Sequence, residues 1–334
     1  SSVDDLTRVD SGMPAGDALV VAFHHVLADG IGGLAVLANL VDETATGART
    51  AEDFPRPRPA DRDVALDAWR ERFGALRRLP AGLRTLADAV RQLRRAPRVR
   101  AGPSSLNRPT GAQRRLRVVR VDLDPVVDAA HRSGVKVNDV VLSAVSGALR
   151  ELLAARGEAV DRFAISVPVA ARPGTGAGEL GNRVGVMPVE VPATDDAHER
   201  LLAVARATRA AKEAAGAASL PWLGPVFRVL ARLGAFSWFV DHQRMVHTFV
   251  TNLRGPEARL HLLGEPVASI WPVAMVTGNV TVSFAVLSYA GALCVTLIAD
   301  PDAVPDLDRL AGTLHAHLTE LGRPELEEAP VPSS

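Results

Sequence analysis

A single cysteine, Cys294, occurs in the whole chain of 334 residues, so no internal disulfide can form and no thiolate-rich structural zinc site can be built. A reducing compartment suits that composition. No basic, apolar leader stands in front of Asp4 and Asp5, and the expectation is a cytoplasmic protein. Net charge is lacking too, because 38 basic and 38 acidic residues cancel and leave no overall field drawing the chain to nucleic acid or an anionic membrane. Aromatic residues make up only 4%. With few of them beside the arginines to stack bases, nucleic acid is not expected as a partner. The chain also has no G-x-S-x-G elbow and no G-x-x-x-x-G-K-[ST] loop, which removes two common hydrolase and nucleotide-hydrolysing designs.

Against these absences stands a sizeable apolar fraction, 47%, on a chain longer than one hydrophobic core usually serves, so two domains are expected. One long charge-free run, 267–299, must be tested as a membrane span. It fails, because Pro272, Gly278, Asn279 and many hydroxyl residues interrupt it, and it reads as a strand, a turn at Tyr289-Ala290-Gly291 and a returning strand.

Other strands are expected at 18–23, 116–123, 162–169, 183–191 and 246–251. Helical patterns fall at 31–41, 138–155, 195–215 and 306–321, with Asn138 as the N-cap of the second. From Trp69 to about residue 95, apolar residues recur every three or four positions, the mark of an amphipathic helix. Between Arg70 and Arg120 stand fifteen arginines against Glu71 and Asp88. The plain reading is a solvated helix and linker, and the sharper one is contact with anionic lipid or phosphate. The aromatic residues Trp222, Phe227, Phe236, Trp238 and Phe239 are expected mostly in the core.

Chemistry concentrates at His24-His25-Val26-Leu27-Ala28-Asp29-Gly30, between a strand-like and a helix-like segment. An imidazole can take a proton from a hydroxyl through one ring nitrogen while a hydrogen bond pins the other. Asp29 could fix the loop, and Gly30 permits a turn that other residues resist. No metal is expected there, since the remaining histidines are scattered and His315 and His317 diverge around a helix. Gly176-Ala-Gly178-Glu-Leu-Gly181 matches G-x-G-x-x-G, but the next ten residues, Asn182 to Val191, read as extended and not as the helix a dinucleotide site requires.

The histidine heptad resembles the active-site motif of the chloramphenicol-acetyltransferase-like acyltransferases and condensation domains. Further segments resemble one family within that class, the bacterial wax ester synthase/diacylglycerol acyltransferases. They are Asn138-Asp139 with the helix after it, Ser166-Val-Pro-Val-Ala-Ala-Arg172, Gly181-Asn-Arg-Val184, Thr251-Asn-Leu-Arg-Gly-Pro256, Leu287-Ser-Tyr-Ala-Gly291 and 299–306, in family order. The resemblance implies a two-domain α/β fold of mixed sheets with helices and an active site between the domains. It implies transfer of a fatty acyl group from acyl-CoA to a long-chain alcohol or diacylglycerol, without a metal, a cofactor or a covalent acyl-enzyme.

In that reading His25 is the general base, with His24, Asp29 and Gly30 completing the catalytic motif. Asn138, Asp139, Asn182, Arg183, Thr251 and Asn252 are the candidate substrate contacts, Asn138 doubling as a helix cap and Asn182-Arg183 serving equally as a turn. The implied division is 1–55, a remnant of the first domain; 56–115, a Pro/Arg-rich connector; 116–325, the C-terminal domain; and 326–334, a disordered tail. Family members carry about one small domain more ahead of the histidine pair, so the first domain is expected to be incomplete. Exposed apolar surface at 18–40 would then favour a homo-oligomer or an N-terminal partner segment. Peripheral contact with the inner membrane surface or a lipid droplet stays open, and so do a condensation-type acyltransferase and an inactive lipid-binding remnant.

Overall fold

The charge-free run folds back on itself. In the computed structural model, which describes residues 17–22, 37, 40–42, 60–77, 100–170, 184–217, 234–274, 276 and 278–323, it forms β7 (Val282–Tyr289) and β8 (Ala292–Ala299). The two pair antiparallel from Val282–Ala299 to Tyr289–Ala292. Ala290 (φ 46°) and Gly291 (φ 79°) make the two-residue turn, and positive φ at both positions matches the twist of the flanking strands. Both strands are buried on both faces, which explains why charge is absent from them. Full burial of a side chain such as Phe284 or Leu297 stabilises by roughly 1.5–3 kcal/mol.

Around this hairpin the chain adds, in order, α1 (Asp61–Arg77), β1 (Arg115–Asp122), α2 (Leu123–Arg132), α3 (Val137–Ala155), β2 (Arg162–Ala170), β3 (Val184–Pro192), α4 (Ala197–Ala217), α5 (Phe236–Asp241), β4 (Thr248–Arg254), β5 (His261–Leu262), β6 (Glu265–Pro266) and α6 (Leu307–Gly322). Six strands form one mixed sheet, ordered β1-β8-β7-β4-β2-β3. The two central joins, β7 to β4 and β4 to β2, are parallel, and the other three are antiparallel. Pro188 lies within β3, opposite Ser166, and β3 is an edge of the described sheet, where a missing amide costs little.

One face of the sheet carries the core. Val119, Phe163, Ile165, Val189, Val250, Phe284, Val286, Val295 and Leu297 pack there against α2, α3, α4 and α6. Helix α3 is central, with Val140 through Leu149 all buried, and its small residues let neighbours close in. A Cβ on Gly147 would lie 2.8 Å from Arg200 Nη2 and 2.8 Å from His317 Nε2. Arg200, fully buried, donates to the carbonyl oxygens of Ser143 (3.0 Å), Thr194 (2.7 Å) and Asp195 (3.1 Å). It also reaches His317 Nδ1 at 3.4 Å, and the opposite ring nitrogen of His317 meets Glu151 at 2.8 Å. Arg200 thus ties α3, α4 and α6 together. His315 is exposed while His317 faces inward, so the two diverge as expected.

His247 seals the entry to β4. Its Nδ1 accepts from the Ala164 amide (2.9 Å), its Nε2 bonds Gly102 O (3.1 Å) and its ring meets Phe163 edge-on. Burial holds its pKa below the ordinary histidine value, and the bond to Gly102 opposes that only in part. The unfolded chain therefore takes up a proton first as pH falls below about 6.5. Stability is full above that pH and declines below it, toward the folded-state value. Thermal midpoints measured from pH 8 to pH 5 should fall at the acid end. His247→Asn, whose amide oxygen can take the Nδ1 position, should flatten that decline, and an unchanged slope in this variant would refute the assignment. Burial also pushes the Cys294 thiol up, making it a poor nucleophile.

Several expectations need correction. Residues 18–22 form no strand; they are irregular and exposed, and no described strand pairs with them, while Phe23 lies outside the described residues. Helix α1 starts at Asp61, ahead of Trp69, with Asp61 and Asp63 in its first turn, where acidic groups meet the positive end of the helix dipole. Trp69 is exposed, and 78–95 lie outside the described residues. Asn138 is not the N-cap of α3. Lys136 holds that position, its amide bonded to Asp139 Oδ2 at 3.0 Å. Phe236 and Trp238 are exposed, not core, with Trp238 stacked on His242, and Trp222 and Phe227 lie outside the described residues. Of the arginine run, Arg114 pairs with Asp300, and Arg115 and Arg117 pair with Asp308, so part of that positive charge is neutralised internally.

Candidate active site

The end of β4 and the beginning of α3 meet. Asn252, on the helix-covered face of β4, donates from Nδ2 to Asn138 Oδ1 at 3.4 Å across 114 residues of sequence. Both side chains are only partly buried, so their remaining donors and acceptors are open to an incoming group. Asp139, next to Asn138, turns inward instead. It is buried, and its two oxygens accept from the Lys136 amide and from Thr208 Oγ1 on α4 (2.7 Å). That bond sets the start of α3 and so fixes where Asn138 stands.

Side chains alternate along a strand, so Thr251 takes the face opposite Asn252, level with Ala285 on β7. Thr251 and Asn252 are therefore not brought together. Beyond them Gly255 passes close to β7, its amide on Ser288 O at 2.9 Å, and a Cβ there would sit 2.5 Å from that oxygen. No other residue fits the turn without moving backbone. Arg254 pairs with Glu257 on the surface.

His24, His25, Asp29 and Gly30 lie outside the described residues, as do Asn182, Arg183 and the glycine run 176–181. The stretch after that run is strand β3, as its extended reading required. Sequence reasoning missed Lys136 and Thr208, which hold Asp139. Polar residues on a helix flank carry no local signal of such a partner.

The mixed sheet with helices packed on one face fits the chloramphenicol-acetyltransferase-like fold. A wax ester synthase/diacylglycerol acyltransferase from Marinobacter aquaeolei VT8 superposes with a TM-score of 0.55 at 23% identity, over 72% of this chain and 56% of that one. The condensation domain responsible for chain release from the enacyloxin polyketide synthase does so with 0.51 at 18%, over 93% of this chain and 58% of that one. Both show the fold.

The family follows from sequence. Residues 11–141 match the wax ester synthase/diacylglycerol acyltransferase catalytic domain and 180–322 match the WS/DGAT C-terminal domain, so the chain belongs to this family. "Probable diacyglycerol O-acyltransferase tgs1" of Mycobacterium tuberculosis is 28% identical over 309 residues, 88% of this chain. The chain spans 66% of that relative's length. "Probable diacyglycerol O-acyltransferase Tgs4" of the same species is 29% identical over 339 residues, 91% of this chain and 70% of the relative.

Proposed function

We propose that this chain transfers a fatty acyl group from acyl-CoA to the hydroxyl of a long-chain alcohol or a diacylglycerol. The observation that carries the reading is the meeting of Asn138 and Asn252, the asparagines of two family motifs, in a chain matching both family domains. The imidazole of His25 takes the hydroxyl proton as the oxygen attacks the thioester carbonyl. The carbon–sulfur bond breaks, and the proton passes to the departing CoA thiolate. The asparagine pair orients the acyl carbonyl and offers amide N–H to the oxygen on which negative charge develops. Asp139 serves the site by positioning Asn138, and Asn182, Arg183 and Thr251 are proposed as outlying substrate contacts. No cofactor enters this scheme.

No helix among the described residues is long and apolar enough to cross a membrane. The lipid acceptor is proposed to be met at a membrane or droplet surface by a peripheral protein of the cytoplasm.

The test incubates purified protein with labelled palmitoyl-CoA and either hexadecanol or diolein. Labelled ester is expected. Asn252→Ala should lower kcat/KM about tenfold, the weight of one lost hydrogen bond of roughly 1.4 kcal/mol. No ester with either acceptor, or full activity in the variant, defeats the reading or the role given to Asn252.

A further inference from the structure

The hairpin β5–β6 leaves the sheet between β4 and β7 and is fastened at both ends. At its base the Val267 amide donates to Leu260 O at 2.9 Å. The phenol of Tyr289, itself buried, accepts the Leu260 amide and donates to Val267 O, each at 2.9 Å. At its tip Leu263 (φ 56°) and Gly264 (φ 84°) both take positive φ, which turns two successive amides to the same side. Such a pair makes a small anion-binding concavity.

The anion is supplied by a distant part of the chain. Asp42 accepts the Leu263 amide on Oδ1 at 3.1 Å and the Gly264 amide on Oδ2 at 2.7 Å, and the preceding Val41 is buried. Asp42 falls in the stretch matching the catalytic domain and shortly follows the histidine motif in sequence. The hairpin falls in the stretch matching the C-terminal domain. Its base, through Tyr289 at the end of β7, adjoins the turn after β4, where the Ala290 amide donates to Pro256 O.

We propose that Asp42 is a positioning residue for acyl transfer, a carboxylate clasp that seats residues 40–42 of the catalytic-domain stretch on the β5–β6 hairpin. Through Tyr289 and the Ala290–Pro256 bond the clasp refers these residues to the turn that ends β4. This role rests on the acyl-transfer reading, and its bonds do not. Charge-assisted bonds to two amides are directional, and small errors in the placing of a base against a thioester are costly in rate.

The experiment combines amide hydrogen exchange with steady-state kinetics on the full chain, using palmitoyl-CoA and hexadecanol or diolein, for wild type, Asp42→Ala and Asp42→Asn. In Asp42→Ala the amides of Leu263 and Gly264 should exchange about tenfold faster. In the same variant kcat should fall about tenfold, with the KM for palmitoyl-CoA changed less than about twofold. Asp42→Asn keeps one acceptor oxygen and should fall between. Equal exchange in wild type and Asp42→Ala overturns the clasp, and faster exchange with unchanged kcat overturns its positioning role. A wild type that makes no ester, with exchange still governed by Asp42, overturns the acyl-transfer reading and the positioning role together.

Discussion

His25→Ala is expected to lower kcat by roughly 10²- to 10⁴-fold, the usual contribution of a positioned general base, while the thermal midpoint and the KM for acyl-CoA stay close to wild type. An alcohol is a weak nucleophile at neutral pH, and the thioester carbonyl needs the oxygen's proton removed as attack proceeds. Of the side chains in the motif only an imidazole both accepts that proton near neutrality and returns it to a thiolate. Added imidazole should recover part of the lost rate in the alanine variant, because a free base can take the vacated place. Retention of the wild-type rate within about threefold in His25→Ala would remove the histidine from the mechanism.

Arg200→Ala should destabilise the protein by about 3 kcal/mol, read as a drop in the midpoint of chemical denaturation, because the side chain fills space between three helices and its loss leaves a cavity together with carbonyl oxygens that have lost a donor. Burial lowers the guanidinium's pKa, with the nearby Arg150 adding to the effect and Glu320, Glu151 and Asp196 opposing it. Arg200→Met restores most of the volume without the charge and should recover part of the loss, since an apolar replacement of similar size spares the desolvation of a buried ion. Equal destabilisation by Ala and Met would assign the whole effect to the lost hydrogen bonds, and no destabilisation in either would contradict the helix-tying role.

Much of the sheet was legible because it rests on local rules. The charge-free run with its turn at Tyr289-Ala290-Gly291 spelled out β7 and β8, and Pro188 did not hide β3, since an edge strand tolerates it. The helix expected at about 306–321 is α6, Leu307–Gly322. The features that stayed hidden depend on partners far away in sequence. Asn138 suits a helix cap by type, yet the cap falls at Lys136, because Asp139 is claimed by the Lys136 amide and by Thr208. Arg200 looks, in its own helix, like any solvated arginine. Residues 18–22 have strand-like composition, but a strand exists only where a neighbour accepts its amides. The motifs named the candidate site residues, whereas the approach of Asn252 to Asn138 came from the parallel placement of β4 beside β7, which no local pattern encodes.

Tyr289 is the chain's sole tyrosine, and its hydroxyl closes the base of the β5–β6 hairpin. Isotope-labelled tyrosine would therefore give one aromatic spin system in the whole protein, placed where the hairpin joins the sheet. Its chemical shift offers a built-in gauge of hairpin docking, readable in the presence of acyl-CoA or alcohol without adding any probe to the molecule.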